Sequence, residues 1–87
     1  MASRPSWVVY LLKCSDGTLY TGATSDLTRR LEEHQTGIGA KYTRGRRPVQ
    51  VVHVEPQRDM SSAYRREYEI KQLSREEKLG LLRGKNR

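Results

Sequence analysis

Tyr10 and Tyr20 stand ten residues apart, Arg30 follows ten further on, and His34 comes four beyond that. A carboxylate, Glu67, appears later within Arg66-Glu67-Tyr68. The local contexts are Val8-Val9-Tyr10, Tyr20-Thr21-Gly22 and Arg30-x-x-x-His34. A guanidinium binds phosphate oxygens. Phenol hydroxyls and an imidazole can handle protons. A carboxylate can hold a hard metal ion. Together these are the parts that hydrolysis of a phosphodiester requires.

The elements that must position these side chains are legible from pattern and punctuation. Residues 7 to 14 are apolar and rich in strand formers, Ser15-Asp16-Gly17-Thr18 is a turn signal, and Leu19 to Gly22 reads as a second strand. The turn type decides whether the two tyrosines meet. A two-residue Asp-Gly loop would put them on opposite faces. A three-residue loop with Gly17 as the left-handed bulge residue pairs Cys14 with Thr18, Leu12 with Tyr20 and Tyr10 with Gly22. We expect the three-residue loop, which makes the tyrosines diagonal neighbours on one face, roughly 7–8 Å apart at the backbone. Gly22 would then leave the space before Tyr10 open to a substrate backbone.

Asp26 is a helix N-cap and Gly37 a helix stop. Leu27 and Leu31 form the core stripe between them, with Arg30 and His34 projecting together beside it. Gly37 to Pro48 is glycine-rich and basic, with a short helical turn expected around Ala40 to Thr43. Val49 to Val54 reads as a third strand ended by Pro56. Asp59 or Ser61 caps a helix reaching about Leu73, and Ser74-x-x-Glu77 is a capping box opening a last helix that ends near Gly84. The expected order is β-β-α-α-β-α-α in one domain spanning 1–87. Its core covers about 7–73, and residues 1–5 and 84–87 are loose.

On the helix that Asp59 or Ser61 caps, helical spacing gathers Met60, Ala63, Tyr64, Glu67, Ile70 and Lys71 on one stripe, with Glu69 opposite beside Arg65 and Gln72. Glu67 is thus an acid within a largely apolar face. Such a placement is costly unless a metal ion, an arginine or both neutralise it. The alternative is a structural ion pair to Arg30 or Lys71.

The chain has 87 residues, 34% of them hydrophobic, with no Phe and a single Trp, so its core is thin. A net charge of +7, from 17 basic against 10 acidic residues, favours a polyanionic partner through counterion release. No long apolar run exists to span a bilayer, and Trp7 to Leu12 is too short for an export signal. The lone Cys14 permits no internal disulfide, fits a reducing cytoplasm, and reads as a small strand hydrophobe. Cys14, His34 and His53 lack zinc-site spacing, and His53 reads as structural. Gly39-Ala40-Lys41 lacks the Gly-Lys-Ser/Thr ending of a nucleotide-binding P-loop. With Arg44, Arg46 and Arg47 beside it, the segment reads as a clamp on a nucleic-acid backbone.

These residues carry a resemblance. The chain resembles single-domain bacterial members of the GIY-YIG nuclease superfamily, which includes the N-terminal incision domain of the excision-repair nuclease UvrC. The likeness runs from about Trp7 to Leu73. The family tyrosines fall on Tyr10 and Tyr20, the family arginine on Arg30, its tyrosine-or-histidine position on His34, and its metal-binding glutamate on Glu67. Leu19 to Gly22 and Gly37 to Lys41 match short stand-alone proteins most nearly. The departures are Val8-Val9-Tyr10 without its glycine, Thr21 in place of isoleucine, and Ala23 where several relatives carry lysine.

The resemblance implies an α/β (α+β) fold: a small three-stranded antiparallel sheet with the first strand central, flanked by helices. It also implies hydrolysis of DNA dependent on Mg²⁺, with Mn²⁺ able to substitute, as in repair, recombination or the processing of single-stranded or branched DNA. Arg30 would grip the phosphate oxygens as they gain charge, and Glu67 would supply the one protein carboxylate to the metal. Tyr10 is the preferred proton acceptor, provided that Arg30 and the metal favour its phenolate. His34 would relay the proton or orient a hydroxyl. Gly22, Lys41, Arg44, Arg46 and Arg47 are the expected DNA contacts. The setting is cytoplasmic and nucleoid-associated, with the domain loosely specific, homodimeric or guided by a protein partner. The rival readings are a non-catalytic basic nucleic-acid-binding module and a degenerate nuclease adaptor.

Overall fold

The computed structural model describes residues 7–83. In chain order its elements are β1 (Trp7–Lys13), β2 (Leu19–Thr24), α1 (Leu27–Thr36), α2 (Lys41–Arg44), β3 (Gln50–Gln57), α3 (Met60–Lys71) and α4 (Arg75–Leu82). The strands form one antiparallel sheet ordered β2-β1-β3, with the first strand in the centre as expected. The loose ends expected at 1–5 and 84–87 lie outside the described residues.

The β1–β2 hairpin has the three-residue loop. The Cys14 N–H donates to Thr18 O at 2.9 Å, the Gly17 N–H donates to Cys14 O, and Gly17 takes φ of 85°. That left-handed conformation is open to glycine at little steric cost. The register follows: Leu12 pairs with Tyr20 and Tyr10 with Gly22.

β1 is covered on both faces, which explains its unbroken apolar run. Val9 and Leu11 pack with Ala63 and Ile70 of α3 and with Leu81 and Leu82 of α4. Tyr10 and Leu12 pack on the other face with Leu27 and Leu31 of α1, Val49 and Val51. The buried side chains divide by the strand's period of two. Thr21, where relatives carry isoleucine, is buried, and its hydroxyl has no partner among the described residues.

β3 differs from expectation. It runs to Gln57, through Pro56, which pairs with Val8. An edge strand tolerates proline because one row of its N–H groups faces no partner strand. Between its pairs Leu11–His53 and Leu12–Val51 the register slips by one, leaving Val52 as a bulge. The bulge sends Val51 to the α1 side and Val52 to the α3 side.

The helix boundaries follow their caps. The Asp26 carboxylate accepts from Arg29 N–H, and Gly37 ends α1 at φ of 89°. Asp59, rather than Ser61, caps α3 through Ser62 N–H, and Ser74 and Glu77 form the capping box of α4. The apolar stripe of α3 is narrower than its spacing implies. Ala63 and Ile70 are fully buried, whereas Met60 and Tyr64 are about half exposed at 52% and 49%. The helix also stops at Lys71 rather than near Leu73.

Candidate active site

The hairpin register and α1 together bring three of the predicted side chains into contact. The Tyr10 and Tyr20 ring centroids lie 6.4 Å apart, and each ring meets His34 edge-on, at 6.0 Å and 5.1 Å. His34 is completely buried, with Nε2 3.0 Å from the Tyr10 hydroxyl and Nδ1 2.7 Å from Thr43 Oγ1. Tyr20 is partly exposed whereas Tyr10 is buried, so Tyr20 is the more accessible of the two residues.

Gly22 plays a different part from the one expected. The space its missing side chain leaves is filled by the Tyr10 ring itself. A Cβ there would meet the Tyr10 hydroxyl inside van der Waals distance. Gly22 is buried and is no open path for a substrate backbone. It is a berth for Tyr10.

Arg30, one turn before His34, is half-buried and its Nη1 donates to Glu33 Oε1 at 2.7 Å. That carboxylate raises the arginine's already high pKa, while burial opposes it. The guanidinium lies near enough to the Tyr10 hydroxyl to draw its pKa down. Burial acts first and more strongly, Tyr20 adds to it, and the Tyr10 pKa is pushed up to about 12. The expectation that adjacent positive charge favours the Tyr10 phenolate is therefore reversed in the free protein. Burial, followed by Arg30, also lowers the His34 pKa, keeping the imidazole neutral around neutral pH.

Glu67 does not touch this group through a hydrogen bond. Its side chain is 18% exposed and its Oε2 meets Lys71 Nζ, itself half exposed, at 3.2 Å. It stands on the flank of the buried stripe of α3, and its charge reaches Tyr10, adding to the upward pull. Of the two ion pairs weighed for it, Lys71 is formed.

A metal ion would find a single usable carboxylate here. Among the described residues no three His, Cys, Asp or Glu side chains cluster as metal ligands. The donor set still fits a hard cation that keeps most of its waters and takes oxygen from one carboxylate and from substrate phosphate. Glu67 meets that need, because its one ion-pair partner among the described residues is an exposed lysine that can swing away.

The basic loop divides in two. Arg46 lies 4.1 Å over the Tyr42 ring, pairs with Asp16 Oδ2 at 3.0 Å and donates to Tyr42 O. Arg47 donates to Arg44 O and Gln35 O. Both side chains are bound into the local structure, although Arg47 is exposed, whereas the exposed Lys41 and Arg44 side chains have no such partner among the described residues. His53 pairs with Glu55, and Cys14 is buried, its thiol pKa pushed up by that burial.

Sequence reasoning missed Thr43, Gly39 and Tyr42. Thr43 is fully buried against His34. Gly39 packs so closely on His34 that a Cβ would fall 2.7 Å from Nδ1 and 2.9 Å from Cα. Tyr42 stacks at 5.8 Å on Tyr20. Their one signal is the glycine-rich spacing, which by itself suggests a phosphate clamp. Gly39 is instead a matter of space around an imidazole.

The hairpin, α1 and α3 carry the residues of this candidate site. The chain belongs to the GIY-YIG family, whose catalytic-domain model matches residues 6–80. It is 59% identical over 73 residues to a UPF0213 protein of Halobacterium salinarum, covering 84% of this chain and 95% of that one. It is 57% identical over 72 residues to one from Desulfotalea psychrophila, covering 82% of this chain and 66% of that longer protein. Among solved structures it resembles the UPF0213 protein of Bacillus halodurans, with TM-score 0.59 and 47% identity over 91% of this chain and 84% of that one. A protein of E. faecalis superposes with TM-score 0.63 and 40% identity, over 97% and 90%. No helix among the described residues is long and apolar enough to cross a membrane.

Proposed function

We propose that this protein is a divalent-metal-dependent DNA endonuclease, using Mg²⁺ or Mn²⁺, that acts on single-stranded or branched DNA in repair or recombination. The observation that carries the reading is the convergence of Tyr10, Tyr20 and His34 beside Arg30, in a chain of the GIY-YIG family. Net charge of +7 supports a polyanionic substrate. We place the protein in the cytoplasm near the nucleoid, as a homodimer or with a guiding partner.

Each residue has a definable task. Arg30 exchanges its Glu33 contact for the scissile phosphate and grips oxygens that gain charge as water attacks. Tyr20, the accessible phenol, orients the attacking water. Tyr10, held by His34, keeps its proton in the free protein and fixes the geometry of Tyr20 and Arg30. Glu67 holds the metal, which when bound stabilises charge on phosphate and leaving-group oxygens. Lys41 and Arg44 track the backbone of the strand.

The test is cleavage of labelled single-stranded, duplex and branched DNA, with Mg²⁺ and with chelator, by wild type and Glu67→Ala. Cutting is expected from wild type with metal alone, while Glu67→Ala still binds. Equal cutting by the variant would assign the activity elsewhere. Binding by wild type without cutting under any condition would leave an adaptor.

A further inference from the structure

The hydrogen bonds around His34 have a direction. Thr43 Oγ1 lies 3.0 Å from Ala40 O, and the Thr43 N–H donates to the same carbonyl at 3.1 Å. A carbonyl can only accept, so the single hydroxyl proton of Thr43 points at Ala40. Thr43 Oγ1 must then accept across its 2.7 Å contact with His34, which puts the imidazole proton on Nδ1. His34 Nε2 is left as a bare acceptor 3.0 Å from Tyr10, and the Tyr10 hydroxyl donates to it. The other tautomer fails twice. It leaves the Thr43 and Ala40 oxygens facing each other with no proton between them. It also makes Tyr10 accept from His34, which leaves the proton of this buried hydroxyl with no acceptor among the described residues.

We propose that Thr43 is a positioning residue for the reaction: by fixing His34 as the Nδ1–H tautomer it turns the Tyr10 proton inward and presents the Tyr10 oxygen lone pairs to Arg30. Gly39 completes the device, because its backbone packs on the imidazole where any side chain would displace it. The glycine-rich segment between α1 and α2 is thus a cradle for the histidine. It supplies the packing surface and the terminal carbonyl, and α2 supplies the hydroxyl between them. The run of hydrogen bonds ends on a backbone group that cannot titrate, so the orientation of the imidazole does not depend on a further charged partner.

The catalytic half of this inference rests on the nuclease reading; the tautomer half does not. The test therefore has two readouts on the full chain. Nitrogen-15 NMR of the imidazoles should find His34 protonated at Nδ1 in wild type. Thr43→Val, which keeps the shape and removes the hydroxyl, should lose that preference. Thr43→Ser should restore it. For DNA cleavage, Thr43→Val should lower kcat on the order of 10-fold with KM unchanged, the scale on which losing a partner that orients a functional histidine acts, and Thr43→Ser should recover most of it. His34 protonated at Nε2 in wild type overturns the proposal, and that measurement stands even where Thr43→Val does not fold. So does wild-type kcat in a folded Thr43→Val. Should wild type cut no DNA, the nuclease reading falls, and the tautomer and its loss in Thr43→Val judge the positioning by themselves.

Discussion

Burial and charge pull the Tyr10 hydroxyl in opposite directions. Arg30 stabilises its phenolate, yet enclosure between β2 and His34 removes the water that an ion needs, and enclosure prevails. The folded protein holds this proton to about pH 12, against 10.0 for the ordinary phenol. A raised pKa of this kind contributes stability that is complete below pH 10 and lost as the pH climbs through 12. Alkaline titration followed by phenolate absorbance should show a late step near pH 12 that Tyr10→Phe removes. Persistence of that step in the variant would place the buried phenol elsewhere. The same enclosure makes Tyr20 the better candidate to meet water, a division of labour between two tyrosines that their shared face alone does not reveal.

At the scale of elements, α3 carries Glu67, and an ion pair sets its place against the sheet. Glu55 on the edge strand accepts from Arg66 Nε and Nη2 at 2.7 and 3.1 Å, and from His53 at 2.9 Å. Arg66 is the immediate neighbour of Glu67, so this clamp positions the helix that supplies the acid. The Arg66 hydrogen bonds hold the Glu55 carboxyl below its ordinary 4.5. A depressed carboxyl contributes stability that is present above pH 4.5 and lost as the pH falls through the folded value. Chemical denaturation of Arg66→Ala should show a loss on the order of 1–2 kcal/mol at neutral pH that shrinks in acid. A loss indifferent to pH would mean that packing of the arginine stem, rather than charge, is what the substitution removes.

Across the whole molecule the excess positive charge is not equally available to a ligand. Arg46 ties α2 to the hairpin loop through Asp16, and Arg47 ties the loop to the end of α1. Lys41 and Arg44 remain exposed, and Arg44 borders an open recess of about 460 Å³ shared with Gln35, Gly45, Arg47 and Pro48. Removing one cation that meets a phosphate of single-stranded DNA should lower the slope of log affinity against log salt by about 0.7. Fluorescence titrations with single-stranded DNA should show that reduction for Lys41→Ala and for Arg44→Ala. Arg46→Ala should instead lower thermal stability and leave the slope near that of wild type. A slope unchanged by either exposed residue would move the DNA path off this loop.

What the sequence determined by itself is whatever local chemistry dictates. Gly17 after Asp16 selected the bulged hairpin, and that loop set the register that puts Tyr10 and Tyr20 on one face. Asp26, Gly37, Asp59 and Ser74 marked helix ends because the groups they satisfy lie within a few residues. Four-residue spacing joined Arg30 to His34. The tertiary structure alone decided which way each group's remaining partner came from. His34 is claimed by Thr43 from another helix, Arg46 by Asp16 thirty residues away, and the vacancy at Gly22 by Tyr10. These choices depend on distances between elements, and on how much water their packing leaves, which no spacing along the chain encodes.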